Sequence, residues 1–117
     1  ESYRIMGACF NVYNLMGCGF LEAVYQECLE LEFTRSDIPF KAKPSIHLYF
    51  RDIQLKQEYV PDFLCFEKII VEIKAVECLN NHHRSQVFNY LKGSRKHLGL
   101  LINFGHSPKV EYERIVL

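Results

Sequence analysis

The chain has 117 residues, with 14 basic and 14 acidic side chains and a hydrophobic fraction of 49%. That length fits one domain, residues 1–117, able to bury roughly two-thirds of its unfolded surface without disulfide or metal staples. The composition argues against disorder, no apolar run approaches the ~20 residues of a membrane span, and zero net charge makes the chain no obvious nucleic-acid binder.

The chain begins at Glu1 rather than Met, so a few native residues are expected ahead of it; no signal-peptide pattern is visible. Residues 3–16 place Ile5, Cys9, Val12, Tyr13 and Met16 at three-to-four spacing, which predicts an amphipathic helix. Gly17-Cys18-Gly19 breaks it. Residues 20–35 predict a second helix, with Leu21, Val24, Cys28 and Leu31 inward and Glu22, Glu27, Glu30 and Glu32 outward. Asp37-Ile38-Pro39 ends it. This first third of the chain is net acidic.

The texture then changes. Residues 45–50, 53–60, 62–66 and 69–76 are short runs rich in β-branched and aromatic residues. They predict a hairpin array turning at Arg51-Asp52 and Glu67-Lys68. Asn80-Asn81 can cap a helix running to about Lys92, with Val87, Leu91 and Phe88 inward and Gly93-Ser94 closing it. Leu98 to Phe104 reads as a buried strand and Val110 to Leu117 as a more exposed one. The order ααββββαββ predicts an α/β sandwich, a central mixed β-sheet flanked by helices.

Charge is uneven within the last third. Residues 82–97 hold Arg84, Lys92, Arg95 and Lys96 and no acid. Such a run is most often a solvated helix face, and a phosphate-contacting face is the sharper alternative. Five cysteines form no CxxC pair, and five histidines show no HxxxH spacing. That argues against a disulfide framework and a zinc site, and for a reducing, cytoplasmic setting.

Chemistry concentrates in Ile69 to Val76. Strand side chains alternate, so Glu72 and Lys74 share one face while Ile69, Val71, Ile73 and Ala75 share the other. If Phe63 to Phe66 pairs with this strand as a hairpin, Asp62 comes near Glu72. Two carboxylates and an ammonium then converge at the edge of an apolar sheet, which is costly unless a cation or water network compensates. On spacing alone a solvated Glu-x-Lys pair is the commoner outcome, and Asp62 after Pro61 fits a turn.

Asp62, nine intervening residues and Glu72-Ile73-Lys74 make the PD-(D/E)xK pattern of a large nuclease superfamily. The wider chain resembles the small GxxExxY family. The resemblance rests on Gly19-Phe20-Leu21-Glu22-Ala23-Val24-Tyr25, Asp62-Phe63-Leu64 and Val71 to Val76. It continues in His83 with Gln86, Tyr90-Leu91-Lys92, and Leu100 to Gly105. These blocks cover nearly the whole chain in the same order. Cys18, where a proline is frequent, and Arg84, where an acid is common, depart from the pattern.

The resemblance implies a restriction-endonuclease-like core and metal-dependent cleavage of nucleic-acid phosphodiesters, DNA rather than RNA. It implies Glu22, Asp62 and Glu72 as metal ligands and Lys74 as the group that orients water and offsets phosphate charge. Gln86 would serve for positioning, with His83 and Tyr90 facing the same cleft and Tyr25 packing helix against sheet. Oxygen ligands suit Mg2+ or Mn2+, which would polarise a phosphoryl group. The basic face of Arg84, Lys92, Arg95 and Lys96 would meet phosphates. A non-catalytic binding or regulatory module on the same fold is the competing class, and a hydrolase of another phosphate ester the third. A homodimer could lengthen the binding groove.

Overall fold

The computed structural model describes all residues, 1–117. Helices α1 (Ser2–Met16) and α2 (Glu22–Arg35) lead into strands β1 (Phe40–Ala42), β2 (Ile46–Phe50), β3 (Ile53–Tyr59), β4 (Phe63–Cys65) and β5 (Ile69–Lys74). Helix α3 (Asn81–Ser94) and strands β6 (Leu98–Asn103) and β7 (Glu111–Val116) complete the chain. Five strands form one mixed sheet in the order β1-β4-β5-β6-β7, and β2-β3 form a separate hairpin. Only β5 and β6 run parallel, with α3 as their crossover. No helix is long and apolar enough to cross a membrane.

Alternation along β5 sorts the core into two. Val71 and Ile73 join Ile5, Cys9 and Val12 of α1 and Tyr25, Leu29 and Phe33 of α2 in the larger cluster. Ile70, on the other face, joins Val87, Tyr90 and Leu91 of α3 in the smaller one. Each fully buried aliphatic or aromatic chain contributes about 1.5–3 kcal/mol. Glu72 and Lys74 share the Ile70 face, so the charges of β5 lie on the α3 side of the sheet.

Several expectations are corrected. The hairpin array splits: β3 does not pair with β4, and the order is ααβββββαββ. Pro61, which has no N–H for a ladder, separates the two strands, and β4 pairs instead with β1. Strand β1, three residues between Pro39 and Pro44, is too short to show alternation. The Arg51-Asp52 turn is present with both residues at positive φ, 49° and 67°, the geometry of a two-residue hairpin loop. The next turn takes in Phe66 as well, since Phe66 and Glu67 are left-handed at 55° and 60°.

Helix α2 is rotated about one residue from its expected face. Tyr25, Gln26, Leu29 and Phe33 are buried, while Leu21 and Leu31 are 77% and 67% exposed. The aromatic rings at positions 25 and 33 decide the orientation, because they bury more apolar area than the leucines they displace. Phe88 of α3 points outward. The end of α3 is set by Arg95 in the left-handed conformation, φ 58°. Gly93 lies inside the helix for another reason: a Cβ there would come within 2.8 Å of Leu48 Cδ2, so the glycine admits the β2–β3 hairpin against α3.

Candidate active site

The β4–β5 ladder builds the site. Phe63 pairs with Val71, which sets Asp62 beside Glu72 at the strand ends. The Asp62 amide donates to Glu72 Oε1 (3.0 Å), and the Ile73 amide donates to Asp62 Oδ2 (2.8 Å). Both acids are only 4% exposed. Lys74 Nζ lies 3.4 Å from Glu72 Oε2 and donates to Gln86 Oε1 at 2.7 Å. Gln86 comes from α3, which the β5–β6 crossover lays over this face. Asp62, Glu72, Lys74 and Gln86 are thus brought together.

Electrostatics follow from burial. Desolvation, and then the negative charge of Asp62, push the Glu72 carboxyl up to about 8; the Asp62 amide and the Lys74 charge pull it part of the way back. Tyr90, packed edge-on against Tyr59, has its phenol pushed up to about 12 by burial and by the charges of Glu72 and Asp62. His83 is held below the usual imidazole range by partial burial and by the Lys74 charge. Its ring caps α3: Nδ1 accepts from the Asn80 amide while Asn80 Oδ1 accepts from the His83 amide.

Glu22 is exposed on the first turn of α2. Its carboxyl is raised by partial desolvation and then by the Asp62 charge, and it lines a depression with Ala75, Val76 and Glu77, just past the end of β5. It does not close with Asp62 and Glu72 into a three-acid group of metal-ligating spacing. Three clustered carboxylates would repel one another, and a lysine neutralises Asp62 in place of a third acid. Tyr25 is a packing residue. Its ring stacks on Phe104 with centroids 4.6 Å apart, and its hydroxyl donates to the Gly17 carbonyl while accepting from the Phe20 amide. It thereby fixes the loop that leads to Glu22.

The basic face divides. Arg84 is engaged by Glu113 of β7 through Nε and Nη2, the latter at 2.7 Å, and Lys96 donates to the Glu67 carbonyl. Lys92 and Arg95 are exposed and form no ion pair.

Two residues were not anticipated from the sequence. Lys43, in the β1–β2 loop, places Nζ 2.9 Å from Asp62 Oδ1. Gln26 of α2 is buried, with Nε2 3.4 Å from the Asp62 carbonyl and its Oε1 without a partner. Gln26 follows Glu22 by four residues, one helical turn on the same face, and that spacing was the available signal. Lys43 had none, lying in a short loop without periodicity. The donor set fits a hard divalent cation: two buried carboxylates with no sulfur or imidazole ligand, and an orphaned amide oxygen on Gln26, whose Nε2 reaches the Asp62 carbonyl.

Residues 1–115 match the family profile of the PD-(D/E)XK nuclease superfamily, whose nucleases generally depend on divalent metal. Among solved structures, the one titled "Crystal structure of SSO0001" superposes with a TM-score of 0.66 at 16% identity. The match covers 80% of this chain and 48% of that one, so this chain spans about half its length. At that identity the likeness shows the fold, the central mixed sheet flanked by helices characteristic of restriction-endonuclease-like proteins. A search of curated proteins finds no match.

Proposed function

The chain belongs to the PD-(D/E)XK nuclease superfamily, and we propose that it is a metal-dependent nuclease, close to the GxxExxY proteins, that cleaves nucleic-acid phosphodiesters, DNA ahead of RNA. The observation that carries this reading is the lysine held over two buried acids. Lys74 Nζ is fixed between Glu72 Oε2 and Gln86 Oε1, beside an Asp62–Glu72 pair that is costly without a cation.

Asp62 and Glu72 would hold Mg2+ or Mn2+, and Glu22, whose carboxyl feels the Asp62 charge, would join through water. The bound cation would polarise the phosphoryl group. An ammonium has three N–H groups, and Lys74 spends two on Glu72 and Gln86. The third remains to orient a water molecule or donate to a phosphate oxygen. Gln86 holds Lys74 in place, and Lys92 and Arg95 supply phosphate contacts farther along α3.

Lys43 favours a second reading, a nucleic-acid-binding module without catalysis, because its ammonium already neutralises Asp62. Cleavage assays on labelled single- and double-stranded DNA and RNA, with Mn2+ and with chelator, separate the two. Metal-dependent cleavage lost in Lys74→Met supports the nuclease. Binding without cleavage in every combination supports the module.

A further inference from the structure

The β2–β3 hairpin stands apart from the central sheet and leans on α3, where Gly93 leaves room for Leu48. Between them run two adjoining depressions of about 320 and 300 Å³. Tyr59 and Asn89 line both, so they form one groove. One end reaches Gln86 and Tyr90, and Gln86 is the residue that holds Lys74. The other end reaches Tyr49, Lys92 and Arg95. No acidic side chain lines either part. Along α3 the distance from Gln86 to Lys92 is on the order of 9 Å.

The lining chemistry is specific. Tyr49 is 59% exposed and offers a ring at the groove wall, while Tyr59 packs edge-on against Tyr90 of α3 and forms the floor between the two depressions. Two cations without ion-pair partners lie at the far end, and Asn89 offers an amide midway. Rings for base faces, cations for phosphates and the absence of acids are the elements of a single-strand site. A duplex keeps its bases stacked inside and presents phosphates on its outer surface, so rings within a walled groove gain nothing from it.

We propose that this groove takes a single-stranded nucleic-acid segment, a base against Tyr49 and its phosphates on Lys92 and Arg95, leading to the Lys74–Gln86 end. The substrate class is then a single strand or an unpaired end rather than intact duplex. The direction of the strand rests on the nuclease reading; the binding itself does not.

The test is fluorescence anisotropy in chelator, using labelled oligothymidylate alone and annealed to oligoadenylate. Wild type should bind the single strand more tightly. Tyr49→Ala should weaken single-strand binding about tenfold, the loss of one stacked base, and leave duplex binding unchanged. Tyr49→Phe should bind like wild type, since the ring face and not the hydroxyl is used. Equal affinity for both forms, no single-strand binding, or an unchanged Tyr49→Ala overturns the groove, even if wild type cleaves DNA with Mn2+. Loss of single-strand binding in Tyr49→Ala, in a wild type that cleaves nothing, supports the groove and removes the nuclease reading alone. Thermal melts confirm that each variant is folded.

Discussion

Lys43 and Asp62 are joined twice. The Lys43 amide donates to the Asp62 carbonyl at 2.9 Å, and its ammonium lies 2.9 Å from Asp62 Oδ1. Lys43 adopts φ 52°, a left-handed conformation uncommon for a lysine. The strand-end loop thus delivers a cation to the carboxylate that a metal would need. Asp62 raises the ammonium's affinity for its proton, chiefly through the hydrogen bond.

Lys43→Gln should therefore bind Mn2+ more tightly than wild type, because a competing cation is gone. Isothermal titration calorimetry measures this. Stability without metal should fall, because the Asp62 carboxylate, only 6% exposed, loses its cation, although solvent at the half-exposed Lys43 end moderates the loss. Unchanged or weaker Mn2+ affinity would show that Lys43 does not compete for the site.

Lys74→Met keeps the apolar stem and removes the charge, so the fold should persist. Metal-dependent cleavage should fall by orders of magnitude. Gln86→Leu should lower cleavage less, because it frees Lys74 without removing it. Equal activity in Lys74→Met and wild type would take Lys74 out of the chemistry.

Much of the site was legible because it depends on strand alternation. Period two puts Glu72 and Lys74 on one face, and a tight hairpin puts Asp62 beside Glu72. Gln86 came from the family resemblance rather than from alternation. Lys43 was not legible, since its position depends on β1, a strand too short to announce itself. The face of α2 was misjudged because leucines, valine and cysteine, and the aromatics Tyr25 and Phe33, offer overlapping helical stripes. Tertiary packing chose the aromatic one. The separate hairpin was hidden for a similar reason, as nothing in the local pattern of residues 45–60 distinguishes a strand of the central sheet from one leaning on a helix.

Glu72 imposes a pH dependence on the metal-free protein. Its folded value, about 8, lies above its ordinary 4.5, so the folded state holds the proton more tightly than the unfolded state. Stability from this group is complete below pH 4.5 and is lost as pH rises toward about 8. Glu72→Gln stays neutral and should remove that decline. In chelator it should melt above wild type near the top of this range. With Mn2+ wild type should gain several degrees, on the order of 1.4 kcal/mol at ten times the dissociation constant, and Glu72→Gln little. Thermal melts across pH, with and without Mn2+, decide it. A Glu72→Gln protein with the same pH slope as wild type would place the titration elsewhere.

The four cations of residues 82–97 should behave differently. Lys92→Gln with Arg95→Gln should weaken nucleic-acid binding for all sequences and flatten its salt dependence. Arg84→Gln should leave the salt slope unchanged and cost a little stability instead, through its partly exposed pair with Glu113. Salt titrations of binding, paired with melts, make the distinction. A salt slope reduced equally by Arg84→Gln would return Arg84 to the phosphate-contacting set.

The central sheet separates a larger core of 17 residues from a smaller one of 8. The partner of Lys74, Gln86, rides on the helix of the smaller core. Opening free energies differ across a fold, and units with little buried apolar surface open first. Transient detachment of α3 and its hairpin would leave the α1–α2 side intact while Lys74 swings free of its anchor. The anchor of Lys74 can thus be lost through a local fluctuation cheaper than unfolding, so the order of this face is set by the lesser half of the molecule.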